Sequence, residues 1–327
     1  MEDKKREKKL EKQNKKAEKK LQKQKERKNL NKALKSNWQL YLLALPFVVY
    51  LAIFEYKPLY GIIIAFKNYK PFLGIWGSEW VGLDNFRRFF TANAFSTIVP
   101  NTIILSLYSL IAGMFPPIIL SICLNYIPST KYKKFVQNIT YAPHFISLVV
   151  LVSMITLIFT TDSGLINNII KAFGGEEIFF LGEGKLFRHI YVWSGVWQGV
   201  GWGSIIYLAS LTSVNPELHE VARVDGATIM QRIRYIDWQV IKPTMITLLI
   251  LNCGKIMSVG FDKAFLLQNT FNRPYSEIIS TYVYKRGLLN SEYGYSTAVG
   301  LFNTVINIIL IVMANKISKK VSETSLY

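Results

Sequence analysis

Cysteine and histidine are scarce in this sequence, with two of the first and three of the second among 327 residues. Neither Cys123 nor Cys253 has another cysteine or a histidine at metal-ligand spacing, so disulfide and metal roles are minor readings and both are expected to be small core residues. His144, His189 and His219 lie in separate stretches and read as satisfied structural residues, not as ligands. No GxxxxGK[ST] phosphate loop is present; Gly182-Glu-Gly184-Lys185 lacks both the length and the following Ser or Thr. Also missing are HExxH, GxSxG and any carboxylate pair inside an apolar stretch, which leaves acid/base and metal-assisted hydrolysis without residues to carry them. Any energy from ATP would have to come through another polypeptide. Acidic residues are few as well, 21 against 39 Lys and Arg. A signal peptide is not expected, because Met1 to Lys35 are almost entirely polar and no small-residue cleavage site follows the first apolar run.

Half of the residues are hydrophobic, yet the formal net charge is +18, so apolar and charged residues must be segregated along the chain. Such segregation points to long apolar spans separated by basic loops. Residues 1–37 form a Lys-rich tail whose scattered Leu10, Ala17, Leu21 and Leu30 build neither a seam nor a core. Next to a span, such a tail reads as a cytoplasmic anchor near anionic lipid headgroups rather than a nucleic-acid binder. Six apolar stretches follow: Trp38–Phe66, Phe95–Leu124, Val136–Thr160, His189–Val214, Val240–Leu267 and Tyr293–Ala314. Each exceeds the roughly 20 residues that an α-helix needs to cross hydrocarbon. The expected fold is therefore all-α and polytopic, with six transmembrane helices over residues 38–320 and a short tail at 321–327.

Lys131, Lys133 and Lys134, then Arg223, Arg232 and Arg234, then Lys316, Lys319 and Lys320 all fall on the side of the basic tail. The positive-inside rule makes that side cytoplasmic, with both termini there, although Lys67, Arg87, Arg88 and others on the opposite face leave the asymmetry resting on the tail. The opposite loops are long and rich in Gly and aromatics, and Leu165, Ile166, Ile169, Ile170 and Phe173 recur at helical spacing, which predicts a short amphipathic helix.

The loop at 213–243, SVNPELHEVARVDGATIMQRIRYIDWQVIKP, carries the most information. Asn215 fits an N-cap with Pro216 at the first helical position, and Leu218, Val221 and Ala222 give an apolar stripe running up to Val224. Asp225-Gly226 breaks that helix, and Thr228-x-x-Gln231 has capping-box spacing for a second one bearing Ile229, Ile233 and Ile236. A polar loop between spans has no bilayer reason to be so amphipathic, and docking into a groove on a cytoplasmic partner supplies one.

Glu220-Val-Ala222-x-x-Asp225-Gly226-Ala227 resembles the coupling loop of bacterial ABC importer permeases, and Gln231, Ile236 and Pro243 also fall where the sugar-importer permeases have them. YKPLYGIIIAFKNYKP, VGLDNF and MSVGFDKAFLLQN are similar to the polysaccharide and oligosaccharide branch of that family, with the likeness running from Trp38 to Lys320. The resemblance implies a membrane subunit that seats Glu220, Ala222, Asp225, Gly226 and Ala227 on a cytoplasmic ATPase dimer. It also implies a second homologous permease, an extracellular solute-binding lipoprotein and a carbohydrate cargo moved by alternating access across a bacterial cell membrane. No cofactor would be bound by this chain; ATP and magnesium would sit at the partner ATPase. Two departures stand out: Val221 replaces an Ala, and Asp237-Trp238-Gln239 replaces a Leu-Pro region, which puts the exit of the loop from the partner groove in question.

In the fourth stretch Gly195, Gly199 and Gly203 recur every four residues with Gly201 beside them, a spacing that lets helix backbones approach closely. Trp193, Trp197, Gln198, Trp202 and Tyr207 share the stretch, and either a sugar path or a lipid-facing aromatic face accounts for them. Asn252, Lys255, Asp262 and Lys263 are costly in hydrocarbon unless they face the bundle interior, a water-filled path or the end of a span; at seven apart, Lys255 and Asp262 could share a helix face. An ion-coupled secondary transporter or channel is the competing class and would require a carboxylate or His relay within the spans. A membrane glycosyltransferase would need acids near the interface; Glu79, Asp84, Glu176 and Glu183 are present but form no recognisable constellation.

Overall fold

The computed structural model describes residues 36–258 and 260–322. The expectations for the tail at 1–35 and for residues 323–327 lie outside the described residues. Helix α1 (Trp38–Phe66) is long and apolar enough to cross a membrane, and it passes through a π turn at Leu51–Tyr56 into a closing 3₁₀ segment at Tyr60–Phe66. From Ile63 onward the chain is one compact unit. Its first elements are a two-residue ladder, β1 (Lys67–Asn68) antiparallel to β2 (Glu79–Trp80), and α2 (Asp84–Thr91), whose Asn85 side chain donates to the carbonyls of Ala65 and Lys67.

Helix α3 (Phe95–Tyr126) is the second expected span and carries Pro100, Pro116 and Pro117 in its interior. The third does not run straight. α4 (Thr130–Tyr141) with its 3₁₀ extension meets α5 (Leu148–Phe159) at 97°. The bend has local causes: Pro143 sits in the 3₁₀ turn at Ala142–Phe145, and the Ser147 hydroxyl accepts from the Val150 amide to start α5. Summed apolar content is blind to both. The expected amphipathic helix of the following loop is present as α6 (Leu165–Ala172), with buried Asn167 holding the loop through the backbone of Thr161 and Ile178.

α7 (Gly184–Thr212) is 29 residues long, about 44 Å at 1.5 Å per residue. Among the described residues three continuous helices combine the length and apolarity for crossing, namely α1, α3 and the last helix, and the bent α4/α5 pair adds a fourth if it is one span. The fifth expected span is also broken. After α8 (Pro216–Val224) and α9 (Ile229–Arg232), a π turn at Ile233–Asp237 leads into α10 (Trp238–Cys253), which stops at Gly254. Residues 254–257 run in turns after α10, and α11 begins only at Phe261 (Phe261–Leu267), so Lys255 and Asp262 are not on one helix and do not share a face as the spacing suggests. A Cβ at Gly254 would strike the Ile311 side chain, so glycine lets the chain turn against the last helix. α12 (Arg273–Ser276), α13 (Ile279–Tyr284) and α14 (Tyr293–Ser322) complete the unit.

Three apolar clusters hold it together. Leu105, Leu151, Phe187 and Ala264 join α3, α5, α7 and α11; Phe89, Ile98, Ile279 and Val299 join α2, α3, α13 and α14; Ile118, Tyr207, Leu211 and Ile241 join α3, α7 and α10. α3 and α7 contribute to most of this packing, and Gly201 is what lets α7 lie close to α4, since a Cβ there would run into the Thr140 carbonyl. The expectation that both cysteines are core residues holds only in part: Cys253 is half-buried, whereas Cys123 is exposed, because α3 buries one stripe and leaves the other outside.

Candidate functional site

Two places combine unusual chemistry with a geometry fit for use. The first is the turn between α8 and α9. Asn215 caps α8 by accepting the Glu217 amide at 3.1 Å, and Pro216 follows at the first helical position, where its missing N–H costs nothing. α8 ends by winding back on itself: the Ala227 amide donates to the Ala222 carbonyl at 2.8 Å and the Gly226 amide to that of Arg223 at 3.1 Å, with Gly226 at φ +77°. The capping box of α9 is complete, with the Gln231 amide donating to Thr228 Oγ1 at 3.3 Å and Gln231 Oε1 accepting the Thr228 amide at 2.7 Å.

These caps make a rigid hairpin and leave its apolar side chains uncovered. Leu218, Val221, Val224, Ile229, Met230 and Tyr235 are all exposed, Val224 to 88%. Glu220, Asp225 and Gly226 are exposed beside them, whereas Ala222 and Ala227 are half-buried. The stripe is therefore Leu218, Val221 and Val224 at intervals of three, and Ala222 turns inward with His219. The second helix runs on through Ile233 and Ile236 as a π turn and passes directly into α10, with both isoleucines half-buried and Ile229 exposed.

That turn also holds Asp237, the first residue of the Asp237-Trp238-Gln239 departure. Asp237 is completely buried, accepts a hydrogen bond from Tyr126 Oη on Oδ2 at 2.8 Å, and has His219 Nε2 3.3 Å from Oδ1, at ion-pair distance but outside hydrogen-bond alignment. Asp237 thus anchors the root of the loop to the end of α3. Tyr126 lies over a hundred residues away in the sequence, so only the acidic residue at the start of an apolar run could have hinted at the cluster.

The second place is a pair of adjoining cavities, one of about 570 Å³ between α3, α7 and α10 and one of about 390 Å³ between α3 and α7 with Lys263 of α11 at its wall. Ser109, Gly113, Pro117, Tyr191 and Gly203 line both. Trp202 and Asn252 line the larger, with Lys255 and Gly260 from the unwound segment; Gln198 lines the smaller, with Lys263. Trp193, Trp197 and Asp262 line neither cavity: Trp193 Nε1 donates to Tyr108 Oη at 2.9 Å, Trp197 is exposed, and Asp262 opens α11 as an exposed residue. Trp202 stacks flat on His144 at 4.5 Å between ring centres, and Gln198 Nε2 donates to the Ile146 carbonyl at 2.9 Å.

In the unwound segment after α10 the amides of residues 254–258 each find an acceptor. Asn307 on α14 accepts the Met257 amide at 2.9 Å and donates to Ser258 Oγ at 2.9 Å. Irregular backbone at membrane depth is tolerated where protein covers it or where it borders a cavity, and this segment does both. Lys263 is buried against α7, its Nζ donating to the Tyr191 carbonyl at 2.7 Å and lying 4.9 Å from that ring's centre. The two cavities thus have two lysines and no carboxylate among their lining residues.

Residues 117–323 match the family model described as the binding-protein-dependent transport system inner membrane component. The chain is 44% identical over 303 residues to the polygalacturonan/rhamnogalacturonan transport system permease protein YteP of Bacillus subtilis, covering 92% of this chain and 94% of that protein. It is 42% identical over 295 residues to Protein LplB of the same organism, covering 90% and 93%. Among solved structures, a chain of a bacterial ABC transporter involved in the import of the acidic polysaccharide alginate superposes with a TM-score of 0.84 at 37% identity, covering 90% of this chain and 99% of that one. The same transporter fold has been solved with its alginate pentasaccharide-bound periplasmic protein.

Proposed function

The chain belongs to the family of binding-protein-dependent transport system inner membrane components, and from that premise we propose that it is one permease subunit of an ATP-driven importer that carries an acidic oligo- or polysaccharide across the cell membrane. A second, homologous permease would complete the path. A cytoplasmic ATPase dimer, holding ATP and magnesium, would supply the energy that this chain has no loop to harvest, and an extracellular solute-binding lipoprotein would deliver the cargo. Both termini lie in the cytoplasm in this reading, which places the α8/α9 hairpin on the same side as the ATPase.

The observation that carries the proposal is the hairpin itself: a capped, rigid helix pair presenting Leu218, Val221, Val224 and Met230 outward. An apolar stripe rimmed by Glu220 and Asp225 is the surface a groove-docking helix needs. Closure of the ATPase pair would displace α8 and rock the bundle between states open to either side, and that coupling requires the contacts to differ between the states. The acidic cargo is supported by the relatives' names and by Lys255 and Lys263, which make the cavity lining basic.

The direct test is Gly226→Glu. A Cβ at Gly226 meets nothing within 4 Å, but the left-handed backbone costs a side chain about 1–2 kcal/mol, and the new carboxylate adds charge to the docking surface. The variant is expected to insert normally, to lose most of the co-purifying ATPase and to abolish uptake in cells. Undiminished uptake at normal membrane levels would remove the coupling role, and uptake driven by an ion gradient in ATP-free vesicles would favour a secondary transporter.

A further inference from the structure

A docked helix moves the bundle only if something stiff joins the two. Along the backbone, α8 joins the bundle through the turn at 225–227 and then a helical run that passes the π turn into α10, a route that reaches α10 and not α3. A shorter route exists through side chains. His219 lies on the inward face of α8, opposite the exposed Leu218 and Val221; Asp237 lies in the π turn; Tyr126 is the last residue of α3. Asp237 lies between the other two, with Oδ2 accepting a hydrogen bond from the Tyr126 hydroxyl at 2.8 Å and Oδ1 facing His219 Nε2 at 3.3 Å. The rings of Tyr126 and His219 meet edge to face at 6.3 Å, and the Arg232 guanidinium lies 5.5 Å over the Tyr126 ring.

We propose that Tyr126, Asp237 and His219 form the joint through which displacement of α8 reaches α3; the inference rests on the docking role given to α8 above. A buried carboxylate cannot let go of its partners without being left uncompensated, so the three groups move together or the cluster breaks. The π turn is the local device that makes this possible, because the inserted residue turns Asp237 inward where a regular helix would shift its register. On the other side, Tyr126 stands nine residues beyond Pro117, about 14 Å along the helix, and Pro117 and Gly113 border both cavities. The interior Pro116-Pro117 pair is a place for α3 to bend. Movement of Tyr126 would thus reshape the cavity wall, with the three side chains acting as positioning residues that never touch cargo.

Cys123, exposed on α3 one turn before Tyr126, is a natural site for a spin label once Cys253 is replaced by serine. The experiment uses the complex purified through a tag on this chain, labelled at Cys123, with spectra taken before and after ATP, magnesium and vanadate. The parent label is expected to respond, and Tyr126→Phe and His219→Gln each to cut that response to about half or less while the ATPase stays bound and active. The double variant is expected to lose little more than the worse single one, since both break one joint. These two changes keep the ring and the side-chain length respectively, so folding does not depend on leaving Asp237 wholly alone. An unchanged response in both variants, or a parent label indifferent to ATP, would overturn the joint while the docking reading stands. A parent chain that purifies without any ATPase would overturn both.

Discussion

Asn101 shows how one side chain can hold three elements. It is buried in α3, its Nδ2 donates to the carbonyls of Pro274 at 2.8 Å and Glu277 at 3.2 Å, and its Oδ1 accepts Arg188 Nη2 from α7 at 2.8 Å. The next residue continues the seam, since Thr102 Oγ1 takes the amide of Ile279 at 2.9 Å. Removing the Asn101 amide leaves two carbonyls and a guanidinium facing a gap that water does not readily fill. The cost of stranding buried polar groups runs at about 1–3 kcal/mol apiece, although partners that find substitutes within a membrane bundle bring it toward the low end. Asn101→Leu is therefore expected to destabilise the subunit by about 2 kcal/mol, seen as a lower midpoint of thermal aggregation in detergent. An unshifted midpoint would mean that Arg188 and the α12 turn are held by other contacts, such as the Arg273–Glu277 and Lys285–Glu277 ion pairs nearby. Nothing in the sequence around Asn101 marks it, because its carbonyl partners lie more than a hundred and seventy residues on and the Arg188 guanidinium 87 residues on.

At the scale of elements, the sequence is most legible where its signals are local. Asn215, Pro216, Asp225-Gly226 and Thr228-x-x-Gln231 each act within four residues, and the α8/α9 hairpin has the caps that those residues predict. Continuous spans are legible wherever apolar content decides, as in α3 and α14. The bend before Ser147 and the break after Cys253 are not, because a proline or glycine inside an apolar run is tolerated in a bundle if a neighbour satisfies the backbone, and the neighbour here is Asn307, fifty residues away from Met257. The glycines of α7 divide on the same ground. The four-residue spacing of Gly195, Gly199 and Gly203 suggests one packing seam, yet Gly203 meets the Pro117 ring while Gly199 has open space beside it, and it is Gly201, off that spacing, that meets the Thr140 backbone. Gly201→Ala should push α7 away from α4 and cost about 1–3 kcal/mol, whereas Gly199→Ala should be neutral or stabilise through helix propensity by up to about 1 kcal/mol. Thermal midpoints of the two variants, measured side by side, decide it: equal shifts would mean that the seam is set by spacing and not by what each glycine faces.

For the whole molecule, the question is what its cavity prefers, and there the charges argue more firmly than the aromatic rings. Of the aromatics singled out by position in α7, Trp202 reaches a cavity while Trp193 is tied to Tyr108. Stacking on rings is in any case indifferent to charge, so it cannot separate an acidic sugar from a neutral one. Lys255 can. It sits on the unwound segment at the wall of the larger cavity, is exposed there, and has no carboxylate among the residues that share that wall. An ammonium facing a uronate at about 4 Å is worth about 4 kcal/mol at an effective dielectric of 20, and screening in a wet path brings that to about 1 kcal/mol. Lys255→Gln is expected to lower the affinity of uptake for an oligogalacturonide by about fivefold, with a weaker dependence on salt, and to leave uptake of a neutral oligosaccharide of equal length unchanged. Lys263 makes a poorer probe, because its bond to the Tyr191 carbonyl gives it a structural share in any loss. If acidic and neutral uptake fall together in Lys255→Gln, the lysine serves the fold of the broken helix and the choice of cargo lies elsewhere. If acidic uptake alone falls, the break after Cys253 has a use: it brings a cation to the path from a helix that would otherwise have carried it past.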